Sequence, residues 1–263
     1  MTAFTESIRI KTRREIETMR AAGREVAEVL LELRDAARPG MATEELDEQA
    51  RRAIKRRGLT SSFLGYAPYG LPPYPAVLCV SVNEEVVHGI PGPREIKTGD
   101  VLSLDFGASL DGYHGDSALT IPIGAVSPEV QRLIDVTHDS LDRAIAEMVP
   151  GRRLSDVGHA VQERVEPEGF SVVRAFVGHG IGREMHEPPQ IPNFGPGGRG
   201  PRLRPGMVFA IEPMVTAGGP EVRMLDDQWT AVTADGSLAA HFEHTILITD
   251  GTPEVLTRVP GSH

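Results

Sequence analysis

GDVLSLDFG, residues 99–107, alternates apolar and polar side chains as a half-buried strand does, and it carries Asp105 six residues past its leading glycine. GMVFAIEPM, residues 206–214, carries Glu212 at the same six-residue distance. After the first stretch, His114-Gly115-Asp116 leads into SALTIPI; after the second, His241-Phe242-Glu243 leads into HTILIT. A carboxylate therefore answers a carboxylate at both strand positions. Likewise His88-Gly89-Ile90-Pro91 has its counterpart in His179-Gly180-Ile181-Gly182.

The segments ahead of these strands repeat as well. Residues 15–37 place Ile16, Met19, Ala22, Val26, Val29, Leu30 and Leu33 at helical spacing, and Pro39-Gly40 ends the run. A second amphipathic segment, with Thr43 as its expected N-cap, stops at Gly58. The pattern returns with Val130, Leu133, Ile134, Leu141, Ile145 and Met148, ending at Pro150-Gly151, then with Val157, Val161 and Val165, ending at Gly169. Both stop signals recur at one offset: Pro39 maps to Pro150 and Gly58 to Gly169. The expected fold class is α+β, a mainly antiparallel sheet with the helices packed on one face. It forms one domain over 1–263, with related halves at about 12–123 and 127–250. Ser127-Pro128 reads as a helix start, not as a linker.

Composition bounds the function. Among 263 residues, 40% are hydrophobic and 24% charged, ordinary for a soluble globular chain. Acids outnumber bases 37 to 27, which argues against a protein built to grip nucleic-acid backbones. The single cysteine, Cys79, excludes an internal disulfide framework and fits a reducing compartment. No run reaches the roughly 20 apolar residues of a membrane span, and no apolar export segment precedes Arg13-Arg14. The expected location is the cytoplasm.

Asp105 and Asp116 flank the turn signal Leu110-Asp111-Gly112, which predicts a hairpin that brings them together. Asp105, Asp116, Glu212 and Glu243 all sit among apolar neighbours with no basic residue beside them. Ionised carboxylates in such strands are costly unless a cation compensates them. One alone reads best as a turn cap or ion-pair partner; four in symmetric places read as a metal centre. Four carboxylates with a histidine suit two ions, bridged roughly 3.5–4 Å apart. Oxygen and imidazole donors without thiolate leave Co²⁺, Mn²⁺, Fe²⁺ and Zn²⁺ open. His179 and His186 share GHGIGREMHEPP, expected to be a glycine-rich loop that brings both rings to one cleft, and are candidates for ligand or acid–base work, while His114, His241 and His244 are expected to support the ligands they adjoin.

Several lookalikes fail. His186-Glu187-Pro188-Pro189-Gln190 is not HExxH, because its fifth residue is glutamine and two prolines forbid the helix. GPGGRG, 195–200, lacks the Gly-Lys-Ser/Thr of a phosphate loop. Cys79, in AVLCVSV, reads as a packed residue and not a nucleophile.

IKTRREIETMRAAGREVAEVL, VSVNEEVVHGIPG, DGYHGDSA, GHGIGREMHEPPQIPNF, RPGMVFAIEPM and HFEHTILIT together resemble type I methionine aminopeptidases in their minimal bacterial form, from about residue 8 to 250. The resemblance implies the pita-bread fold, whose two halves are related by a pseudo-twofold axis. It implies Asp105, Asp116, His179, Glu212 and Glu243 as ligands of two divalent metal ions, Asp116 and Glu243 bridging. His88 would contact the scissile amide, His186 would steady the oxyanion, and Glu212 would shuttle protons. Tyr66, Tyr74, Cys79, Met185 and Trp229 match the methionine pocket. PYGLP, 68–72, stands as an insertion, and Met185 replaces a usual aromatic residue.

The implied reaction is metal-activated hydrolysis that removes the initiator methionine when the second residue is small. The implied partners are nascent polypeptide N-termini near the ribosome exit; no DNA and no membrane is expected, and the chain is expected to be a monomer. The alternatives are an Xaa-Pro aminopeptidase or prolidase, whose relatives carry a further N-terminal domain, and a non-catalytic module that binds peptide N-termini. Retention of the five ligands and both auxiliary histidines weighs against the latter.

Overall fold

Asp111 and Gly112 both take positive φ, 50° and 76°, as a two-residue type I′ hairpin turn requires. They join two ten-residue strands, and this hairpin dominates the first half of a computed structural model that describes residues 8–259. Residues 1–7, which bear on the absence of an export segment, and 260–263 lie outside the described residues. The helices are α1 (Arg13–Ala36), α2 (Thr43–Arg57), α3 (Pro128–Ala146) and α4 (Leu154–Val165). The strands of the first half are β1 (Thr60–Ser61), β2 (Cys79–Val82), β3 (Glu85–Val87), β4 (Val101–Leu110) and β5 (Tyr113–Pro122). Those of the second are β6 (Ser171–Val172), β7 (Gly178–Gly180), β8 (Glu187–Ile191), β9 (Val208–Ile211), β10 (Met214–Thr216), β11 (Val222–Met224), β12 (Ala231–Thr233), β13 (Ala239–His241), β14 (His244–Leu247) and β15 (Glu254–Val255). Every strand pairing among the described residues is antiparallel.

The helices start where the chain offers caps. Thr12 accepts from the Glu15 amide while Glu15 reaches back to the Thr12 amide, a reciprocal capping box. Ser127 caps α3 with Pro128 at its first position, as its sequence predicts. The cap of α2 differs from expectation: it is Ala42, whose amide is held by Glu45. Thr43 lies one residue inside, because its hydroxyl exchanges hydrogen bonds with the backbone of Gly92. Gly58 closes α2 in the left-handed region, φ 66°.

Each half carries its own core. Val26, Leu30, Leu33 and Leu46 of α1 and α2 pack on Val80, Leu102, Leu104 and Phe106 of β2 and β4. Leu133, Leu141, Val157 and Val161 of α3 and α4 pack with Phe209, Ile211 and Ile246. Each such fully buried side chain contributes about 1.5–3 kcal/mol. Truncating Phe106 or Phe209 to Ala would cost about 3–5 kcal/mol.

A seam between the halves fixes the site. Ala118 and Glu243 exchange both backbone hydrogen bonds, at 3.2 and 2.9 Å. Ser117 donates its hydroxyl to the Glu243 carbonyl, and the Thr120 hydroxyl donates to the His241 carbonyl and accepts from its amide. The Thr245 hydroxyl both accepts from the Asp116 amide and donates to the Asp116 carbonyl.

Candidate metal centre and active site

Asp105 pairs with Ala118 and Asp116 with Gly107, so the two acids sit diagonally on one face of the β4–β5 hairpin. The expectation of four strand carboxylates is corrected in the second half. Glu212 lies in the break between β9 and β10, and Glu243 in the break between β13 and β14, where it bridges to Ala118 of β5. Pro213 has no amide to give, which interrupts the ladder at Glu212. The acids of the first half are thus aimed by a continuous hairpin and those of the second by interruptions of one.

His179 stands in β7, opposite Ala210 of β9, not in a loop. Its Nδ1 lies 2.8 Å from the Gly180 carbonyl, which only accepts, so Nδ1 carries the proton and Nε2 keeps its lone pair. That Nε2 is 3.6 Å from a Glu212 carboxylate oxygen. Asp116, His179 and Glu243 are all buried and present ligand atoms within 4.8 Å of one another.

The carboxylate oxygens meet the test of a cation site. Asp105 Oδ1, Asp116 Oδ1 and Glu243 Oε1 are buried without a hydrogen-bond partner, as is His241 Nε2, whose ring stands 4.0 Å from Glu243. Buried polar atoms in native structures nearly always have partners, so three orphaned carboxylate oxygens, two of them from residues grouped with His179, fit bound divalent cations. Burial raises Asp105 to about 7. Burial, then repulsion from neighbouring acids, pushes Asp116, Glu212 and Glu243 well above the usual carboxylate range.

His88 takes φ 61° just past the end of β3. The glycine after it is required there, since a Cβ on Gly89 would lie 2.3 Å from the Val80 carbonyl oxygen. The imidazole is edged by Phe176 and Trp229, at centroid distances of 5.4 and 6.0 Å. The His179 and His186 rings lie 4.2 Å apart. Burial lowers His88 and His186 to about 4 and His179 to about 3, so all three are neutral at pH 7.

All twelve residues singled out in the sequence line one cavity of about 690 Å³: Asp105, Asp116, His179, Glu212, Glu243, His88, His186, Tyr66, Tyr74, Cys79, Met185 and Trp229. Tyr74 meets Trp229 edge-on at 5.2 Å and donates its hydroxyl to the Gly89 and Leu78 carbonyls. Cys79 is buried beside it, its thiol pushed up by burial and therefore unreactive. His114 bonds Ser62, and His244 bonds Thr257 and Ser117, the latter a residue of the seam.

Three features escaped the sequence reading. Phe63 and Phe176 join the cavity wall. The Tyr66 hydroxyl bonds His186 Nδ1 at 2.8 Å across 120 positions of chain. Lys11, with its side chain 1% exposed, forms an ion pair with Glu187, whose other oxygen accepts from the Arg183 amide at 2.8 Å. Glu187 next to His186 was the available signal, but Lys11 in an exposed-looking IKT segment gave none.

The description of metallopeptidase family M24 matches residues 17–250. Methionine aminopeptidase 1 of Bacillus subtilis is 54% identical over 249 residues, covering 95% of this chain and 98% of that protein. A methionine aminopeptidase of Clostridium perfringens is 49% identical over 250 residues, covering 95% and 98%. The crystal structure of methionine aminopeptidase from Thermotoga maritima superposes with a TM-score of 0.92 at 48% identity, over 96% of this chain and all of that one. A prolidase from Pyrococcus furiosus superposes at 0.74 with 20% identity and extends well beyond the match, a likeness of fold alone. An α+β chain of antiparallel sheets with buried carboxylates at its seam, matched over nearly its whole length, belongs to metallopeptidase family M24.

Proposed function

We propose that the chain is a metal-dependent aminopeptidase that removes N-terminal methionine from peptides and nascent polypeptides whose second residue is small. The observation that carries the reading is the set of orphaned carboxylate oxygens beside the free Nε2 of His179, at the end of a cavity walled by Tyr74, Cys79, Met185 and Trp229. Asp105, Asp116, His179, Glu212 and Glu243 would hold the divalent cations, two of them by the number of carboxylates on offer. When bound, such ions supply Lewis acidity and water activated near neutral pH.

The chain's own groups account for the rest. Asp105 receives the free α-amine, which restricts cleavage to the first peptide bond. The apolar walls and the Cys79 thiol accept a thioether side chain and exclude charged ones. A Glu212 carboxyl oxygen takes the proton of the attacking water and returns it to the leaving amine. With the Tyr66 hydroxyl as donor to His186 Nδ1, 2.8 Å away, the imidazole proton sits on Nε2, from which it would donate to the developing oxyanion. His88, neutral and edged by Phe176 and Trp229, contacts the scissile amide.

The chain acts as one catalytic domain, monomeric and cytoplasmic, on new chains as they leave the ribosome. Among the described residues, no helix is long and apolar enough to cross a membrane. Purified protein supplied with Co²⁺ or Mn²⁺ should release methionine from Met-Ala-Ser and leave Met-Leu-Ser and Ala-Ala-Ser intact. Equal cleavage of Xaa-Pro peptides would move it to the prolidase branch, and binding without cleavage would make it a recognition module.

A further inference from the structure

The cavity of about 690 Å³ lies well within the roughly 300–1,000 Å³ of clefts that enclose drug-sized ligands, and exceeds what one thioether side chain fills. Its outer part has a different character from its floor. Four large apolar or aromatic side chains are exposed among the described residues: Ile10, Leu64, Tyr69 and Met224. Two of them, Tyr69 at 100% exposure and Met224 at 46%, stand at this one cavity.

Both rims are held in place. The 66–74 lobe is closed at its base by paired backbone bonds, Tyr74 to Tyr66 and Gly65 to Tyr74, each 2.9 Å. The Trp229 indole donates to the Pro72 carbonyl at 2.9 Å, tying the lobe to the wall of the methionine pocket. At its tip Tyr69 takes φ 55°, a conformation costly for a bulky residue and typical of functional positions. Met224, also at this cavity, ends β11 next to a turn that Asp227 clamps by accepting from the Trp229 and Thr230 amides. An exposed aromatic ring on a braced loop and an exposed thioether at the end of β11 offer an apolar contact surface.

We infer that Tyr69 and Met224 form a subsite for an apolar side chain at the third or fourth residue of the substrate peptide. This rests on the reading given above: with the free amine bound at the carboxylate end, the rest of the polypeptide must leave by the open mouth, between these rims. Chains with an aromatic or large aliphatic residue there are cleaved faster than chains with a small polar one.

The test compares kcat/KM for Met-Ala-Phe-Gly with Met-Ala-Ser-Gly, and for Met-Ala-Gly-Phe with Met-Ala-Gly-Ser. The wild-type protein should prefer phenylalanine about three- to tenfold in at least one pair, the range of one aromatic contact. Tyr69→Asn, which retains a residue tolerant of positive φ, should bring that ratio toward one, and Tyr69→Phe should keep it. Met224→Ser should reduce it partway. No preference in the wild type, or a ratio unchanged by Tyr69→Asn, overturns the subsite while leaving methionine release intact. Failure to release methionine from any of the four peptides removes the aminopeptidase reading and the subsite with it.

Discussion

The phenol of Tyr66 lies 2.8 Å from His186 Nδ1, and the two rings stack at 5.2 Å with an interplanar angle of 24°. A residue placed in the methionine pocket by its position in the sequence therefore also orients the imidazole proposed to meet the oxyanion. Tyr66→Phe keeps the stacked ring and loses only the hydrogen bond. It should lower kcat about three- to tenfold, the worth of one such bond, with KM for Met-Ala-Ser nearly unchanged. His186→Ala should cost more, on the order of 10²–10³ in kcat. A Tyr66→Phe effect confined to KM would return Tyr66 to the pocket wall alone.

Removing the cations should expose the cost of the carboxylate cluster. A ligand that binds only the folded state stabilises it by mass action. Chelation should therefore lower the thermal midpoint, and adding back Co²⁺ or Mn²⁺ should restore it. Glu243→Ala should abolish turnover, reduce bound metal measured by elemental analysis, and flatten the response of the midpoint to added cation. Near-normal turnover in that variant would break the two-ion arrangement.

The ion pair of Lys11 and Glu187 braces the segment that carries Met185 and His186. Lys11→Met would leave the Glu187 carboxylate, 12% exposed, without its cation, and should destabilise the fold by about 3 kcal/mol. The double variant Lys11→Met with Glu187→Leu should recover much of that loss, since an apolar pair of similar size replaces a desolvated charge pair at little cost. Urea denaturation of the wild type and both variants decides it; equal stability of single and double variants would show that the pair does not act as a unit.

Glu15 supplies a pH signature. The Thr12 amide, then the Tyr113 and Thr12 hydroxyls and Arg9, hold its carboxyl down at about 2 against the opposing effect of burial. Because the folded state lowers the affinity for protons, the stability it contributes is present above about pH 4.5 and lost as the pH falls through about 2. Glu15→Gln should be less stable at neutral pH, and the gap between variant and wild type in thermal midpoint should close on acidification from pH 5 to pH 2.

The sequence was most legible where chemistry repeats locally. The Asp111-Gly112 turn and the alternation around Asp105 predict the hairpin, and the structure contains it residue for residue. Glu212 and Glu243 were recognisable as partners of Asp105 and Asp116, but their placement in strand breaks depends on Pro213 and on bonds to Ala118 from the other half. Thr43 satisfies the composition rule for a cap, yet Gly92, 49 positions away, claims its hydroxyl. Tyr66 with His186, and Lys11 with Glu187, are joined only by the folded chain, and no local pattern marks such pairs.

The seam has a consequence for biosynthesis. The proposed ligands of the first half meet those of the second through bonds such as Thr245 to Asp116 and Ser117 to Glu243, spanning 129 and 126 positions. Contacts so distant along the chain close late, after the loop entropy between them has been overcome. A growing chain thus carries Asp105 and Asp116 for half its translation without a partner for either. The proposed ligand set is therefore complete only once Glu243, near the end of the described residues, has bonded to Ala118 and Ser117.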